Sequence, residues 1–158
     1  IVESVGGNVE IPQAEQIQSV ILAGQKWSLQ NLDVTTYSNG DPIPEVTDQA
    51  TWDTIGYGAW CWYNNDNSTG VKLYNWYAVN DPRGLAPKGF HIPSDYEWST
   101  LAVNTGNIQS LKEVGTAHWD QYVSYTGTNT SGFTALPAGA RNTDGTFDDI
   151  RYRTSFRT

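Results

Sequence analysis

The chain has 158 residues, enough for one domain with a real core, although only 38% of them are hydrophobic. Its formal charge of −8, from 17 acidic and 9 basic side chains, disfavours nucleic acid and anionic membrane surfaces as partners. Cys61 is the single cysteine, so an internal disulfide is excluded, and no apolar run approaches the length of a membrane span.

Residues 1–14 read as an N-terminal arm with room for one short strand, and the domain is placed at residues 15–158. Ile17–Leu22 and Lys26–Leu32 read as short strands joined by a turn at Ala23-Gly24-Gln25. Tyr37-Ser38-Asn39-Gly40-Asp41-Pro42 packs Asn-Gly and Asp-Pro into one turn with left-handed positions. Val46–Trp52 suits one or two helical turns. Tyr57–Tyr63 alternates small and aromatic residues as a strand does, with Cys61 expected as a small buried hydrophobe. Asn64–Gly70 is a polar loop, and Val71–Val79 reads as a second aromatic strand.

The segment Gly89–Trp98 joins a short apolar strand, a proline stop at Pro93 and a helix start. Ser94 with Glu97 three residues on forms a capping box. Trp98, Leu101, Ala102 and Thr105 then share a face at helical spacing, and Gly106 is the expected stop. A second, shorter helix is expected over Asn107–Glu113. Loops and short strands follow from Val114 onward, with no internal repeat and no linker. Seven Trp and nine Tyr offset the modest aliphatic content, because large rings bury much area each. Most are expected in the core, while a minority can serve as an exposed platform for a sugar or a protein. Trp and Tyr with Asn, Thr, Ser and Gly, and little Lys, suit a surface-exposed or secreted protein.

Six blocks in order resemble a bacterial family, the Fibrobacter succinogenes major paralogous domain. They are Gly24–Leu32, Tyr37–Pro44, Cys61–Asp66, Leu73–Val79, Gly89–Trp98 and Gly132–Arg141. The resemblance implies an α+β, C-type-lectin-like domain, with two helices on short, mostly antiparallel sheets and long loops carrying the binding face. Related folds include formylglycine-generating enzymes and the variable proteins of retroelements. It also implies an extracellular or cell-surface location in a bacterium, or a place on a virion. The sequence departs from the family's pattern at Ala86, which stands where a cysteine is usual, and by the resemblance the closing C-terminal strand is expected to be missing. Such a loss leaves an unpaired sheet edge. Either a second fragment or partner chain adds the strand, or a shortened terminus closes differently.

Two histidines and one cysteine do not make a transition-metal site. Calcium is the one cofactor whose donors are present, in Asn64-Asn65-Asp66-Asn67 and in Asn142-Thr143-Asp144-Gly145 with Asp148 and Asp149. Neither stretch completes a calcium-loop pattern, and Asx turns explain both. No nucleophile motif or phosphate loop is present, so no catalytic residue is assigned. In retroelement proteins variation follows the segment resembling Gly139-Ala140-Arg141. By that resemblance the ligand-binding residues here are Asn142, Asp144, Phe147, Asp149, Arg151, Tyr152 and Arg153. Their mixture of aromatic, Arg and Asx side chains suits a protein or glycan ligand. The expected function is a non-catalytic binding module. The alternative is an assembly subunit of a surface fibre, pilus or phage appendage.

Overall fold

The structure, a computed structural model, describes residues 1–3, 17–120 and 126–154. In chain order, strands Val2–Glu3 (β1), Ser19–Leu22 (β2) and Gln25–Ser28 (β3) precede helix Gln49–Thr54 (α1). Strands Trp60–Trp62 (β4) and Lys72–Tyr74 (β5) lead into helix Trp76–Val79 (α2). Strand Phe90–His91 (β6), helix Asp95–Thr105 (α3) and strands Ala140–Arg141 (β7) and Phe147–Asp148 (β8) complete a small α+β fold of short antiparallel sheets.

Ala23 and Gly24 sit at φ 52° and 77°, the consecutive positive values that a two-residue hairpin turn needs. They set the β2–β3 register from Ser19↔Ser28 to Leu22↔Gln25. β1 inserts beside this hairpin. Val2 faces Trp27 on one side and His91 on the other, and the sheet order is β2-β3-β1-β6. The start of the expected arm is therefore an inner strand, while residues 4–16 lie outside the described residues. Among the described residues the outer strands of this sheet are β2 and β6.

The capping box forms as expected: Glu97 N–H donates to Ser94 Oγ, and the Glu97 carboxylate accepts from Ser94 N–H at 2.8 Å. Gly106, at φ 82°, ends α3. Leu101 is buried with Val2, Trp27 and Phe133, and Trp98 packs 4.9 Å from Trp27 between ring centroids. Ala102, expected on the same face, is exposed, so the buried stripe is the narrower set Trp98, Leu101 and Thr105.

The β4–β5 hairpin separates two further clusters by its period-2 alternation. Trp60, Trp62 and Tyr74 face Tyr37, Ile43 and Leu85, whereas Cys61 and Leu73 face Val46, Trp52 and Phe147. Cys61 is fully buried, and burial raises its thiol pKa.

Among the described residues three α-helices stand where the resemblance implied two, and two of the expected elements also need correction. The helix over Asn107–Glu113 shortens to a single tight turn, Ile108–Ser110. Leu111 and Glu113 instead exchange backbone hydrogen bonds with Ala135, which draws the chain into a strand-like bridge. The strand over Val71–Val79 stops at Tyr74. The Asn75 side chain accepts from Ala78 N–H, a helix N-cap that turns the next four residues into α2.

Candidate functional site

The residues expected to bind ligand fall into two groups. Asn142 and Asp144 shape the tight turn between β7 and β8. Asn142 N–H donates to Thr146 O at 2.8 Å, and Asp144 Oδ1 accepts from the Thr146 backbone and hydroxyl. Phe147 is half-buried and packs edge-on against Tyr63, with ring centroids 5.4 Å apart. The second group is exposed but internally tied. Asp149 and Arg153 pair at 3.5 Å. Arg151 donates to the carbonyls of Thr116 and Ala117, and Tyr152 donates to Asp120 at 3.0 Å. The structure thus brings Asp149 to Arg153 together beside the 116–120 loop and leaves Asn142 and Asp144 on the hairpin turn.

The oxygen donors considered for calcium also turn inward. Asp66 caps its own turn by accepting from Ser68 N–H, Asp148 accepts from Asn142, and Asp149 faces Arg153. Among the described residues no group of three His, Cys, Asp or Glu side chains is placed to hold a metal ion.

Each histidine lies against a carboxylate: His91 Nε2 is 2.9 Å from Glu97 Oε1, and His118 Nδ1 is 2.9 Å from Glu113 Oε1. Ser94 Oγ also donates to Glu97, at 2.8 Å. The carboxylate therefore stands between hydroxyl and imidazole, whereas an activated serine needs the imidazole beside its hydroxyl. Burial raises the Glu97 carboxyl pKa. Hydrogen bonds from the Ser94 backbone and hydroxyl, His91 and Gln25 outweigh that and hold it at about 2.

Cations serve the scaffold by stacking on rings. The Arg141 guanidinium lies 4.3 Å from the Trp52 ring centroid and 4.9 Å from Phe147. It donates to the carbonyls of Val46, Thr47 and Gly145 at 2.6, 3.0 and 3.2 Å. Lys72, its side chain only 8% exposed, sits over Trp60 and Trp62 and pairs with Asp33. Arg83 covers Tyr37 and bridges Asp81 and Asp41, and its hydrogen bonds hold the Asp81 carboxyl far below the usual range.

A cavity of about 210 Å³ has Arg153 and Lys72 on its wall. Its apolar wall draws on the first two core clusters, with Trp98 and Phe133 from one and Leu32, Leu85 and Ile92 from the other. It is the seam between them.

The prominent surface feature is aromatic, and the sequence reading did not locate it. Trp76 is 58% exposed, Tyr57 49% and Tyr77 43%, with Trp76 and Tyr77 edge-on at 5.4 Å. One amide holds the two segments together: Asn75 Oδ1 accepts from Ala59 and Ala78 N–H, while its Nδ2 donates to Tyr57 O at 2.8 Å. Beneath them Gly58 leaves no room for a side chain against Ala78. The available signal was Asn75 as a helix cap, because a helical turn presents Trp76 and Tyr77 on adjoining sides where a strand would alternate them.

No curated protein and no solved structure matches this chain. A model of the Fibrobacter succinogenes major domain matches residues 20–158, spanning the β2–β3 hairpin, the Asn75 clasp and the Arg141 clamp, and the chain belongs to that family.

Proposed function

We propose that this domain is a non-catalytic binding module displayed outside a bacterial cell or on a virion. We also infer that its α+β frame is a C-type-lectin-like fold, on the resemblance in sequence and on the small share of residues in regular elements. The observation that carries the binding reading is the Tyr57–Trp76–Tyr77 ridge. Trp76 and Tyr77 are exposed as an edge-on pair, and Tyr57 is exposed on the segment whose backbone Asn75 ties to them. Clustered exposed aromatics mark recognition sites, whereas scattered ones need no explanation. The residues 142–153 rank second, because their polar groups already engage one another or the 116–120 loop.

A second reading, an assembly subunit of a surface fibre, pilus or phage appendage, is favoured by the outer strand β2. Ile21 there is 75% exposed, and its strand edge offers a place for a partner chain or second fragment to add a strand. A glycan array with size-exclusion light scattering separates the two. A monomer that binds ligand and loses it on Trp76→Ala supports the module. Obligate assembly with no ligand would replace it with the subunit.

A further inference from the structure

Resting on the binding-module reading, we propose that the ridge takes a neutral oligosaccharide chain, with sugar rings stacked on Trp76, Tyr57 and Tyr77. Area favours a sugar over a protein. The exposed parts of three such rings come to on the order of 300 Å². A stable protein interface needs about 800 Å² from each partner, whereas one or two sugar rings fit the smaller figure.

The chemistry of the rim agrees. Trp76 Nε1 and the hydroxyls of Tyr57 and Tyr77 take part in no hydrogen bond among the described residues. Each ring therefore offers an apolar face and a polar tip, matching the CH faces and hydroxyl edges of a sugar. A side chain at Gly56 would meet nothing within 4 Å, so the flank of Tyr57 is low and an extended chain can run past it. The ridge is also rigid. Asn75 fixes Tyr57 and α2 relative to each other through three hydrogen bonds, so little backbone freedom is lost on binding.

Charge selects against acidic sugars. Arg83, four residues beyond the end of α2, is committed to Asp41, Asp81 and the Tyr37 ring. The whole chain carries −8, so an anionic polymer meets net repulsion while this neighbouring cation is already paired.

The test is affinity gel electrophoresis and tryptophan fluorescence with soluble β-glucan, xylan and mannan as neutral probes. Polygalacturonate serves as the acidic probe. Trp76→Ala and Tyr57→Ala are compared with Tyr96→Ala, which alters an aromatic 79% exposed on α3. The expected result is retardation by at least one neutral polymer, unchanged between about 50 and 500 mM salt. It should weaken about tenfold in Trp76→Ala and Tyr57→Ala and be preserved in Tyr96→Ala. Binding of neutral polymer that survives both ridge substitutions would overturn the site. Binding of polygalacturonate alone, falling with salt and lost in Trp76→Ala, would overturn neutrality while leaving the module reading intact. No binding to any of the polymers, with obligate assembly in light scattering, would overturn both.

Discussion

Arg141→Ala probes whether three loops are held by one guanidinium. The side chain donates to three carbonyls, at 2.6 Å to Val46, 3.0 Å to Thr47 and 3.2 Å to Gly145. Hydrogen bonds from charged groups contribute about 1.5–3 kcal/mol each when both partners are shielded. Thr47 is exposed, and its carbonyl regains water, whereas Val46 and Gly145 are buried. Counting those two at the low end gives about 3 kcal/mol, and stacking on Trp52 and Phe147 adds about 1 kcal/mol. A loss of about 4 kcal/mol lowers Tm by about 10 °C in a domain of this length. Arg141→Lys keeps the charge without the planar fork and should recover less than half. Urea unfolding followed by tryptophan fluorescence reads both variants, with calorimetry checking the transition. A change below about 0.5 kcal/mol in Arg141→Ala, or a lysine variant as stable as the parent, would refute the clamp.

Glu97→Gln should flatten the acid limb of the stability profile. The native carboxyl sits at about 2 against an ordinary 4.5, so its stabilisation is complete above pH 4.5 and lost as pH falls towards 2. Melting curves taken through that window should converge for parent and variant at the acid end. Gly139→Ala should be much more costly than Gly24→Ala, although both positions have positive φ, 62° and 77°. The Gly24 site is open, whereas a Cβ at Gly139 would lie 2.6 Å from Asp148 O. The difference should reach about 2 kcal/mol in urea titrations, and equal losses would show that only backbone conformation matters. Tyr74→Phe removes the hydroxyl that accepts from Val34 N–H and donates to Val34 O, both at 2.8 Å. The expected loss is about 1–3 kcal/mol, with amide exchange accelerated at Val34 in a hydrogen-exchange experiment.

Where local chemistry decided the outcome, the fold was legible in the sequence. The Ser94–Glu97 box, the Gly106 stop, the Ala23-Gly24 turn and the turn around Asn39-Gly40 all form because a few neighbouring residues determine them. Long-range pairing was not legible. Nothing near Leu111 announces that Ala135 will take its hydrogen bonds, and that competition removed most of the expected second helix. The site shows the same division. Arg141 stood in a recognised block, but its role depends on Val46 and Thr47, about 95 positions away. The ridge was hidden by composition. With most tryptophans in core clusters, the exposed Trp76 carries no mark of its own except the Asn cap before it.

The place of β1 bears on how the domain assembles. Its two neighbours are Trp27 and His91, so the slot that receives Val2 exists only after the chain has been laid down past β6. The β2–β3 hairpin can close on its own from adjacent residues, whereas completing the sheet requires loop closure across nearly 90 positions. During synthesis the first strand must therefore wait while later segments emerge. Native-state hydrogen exchange should show the pairing of β1 with β3 and β6 protected as one unit with Trp27 and Leu101, opening only with that cluster.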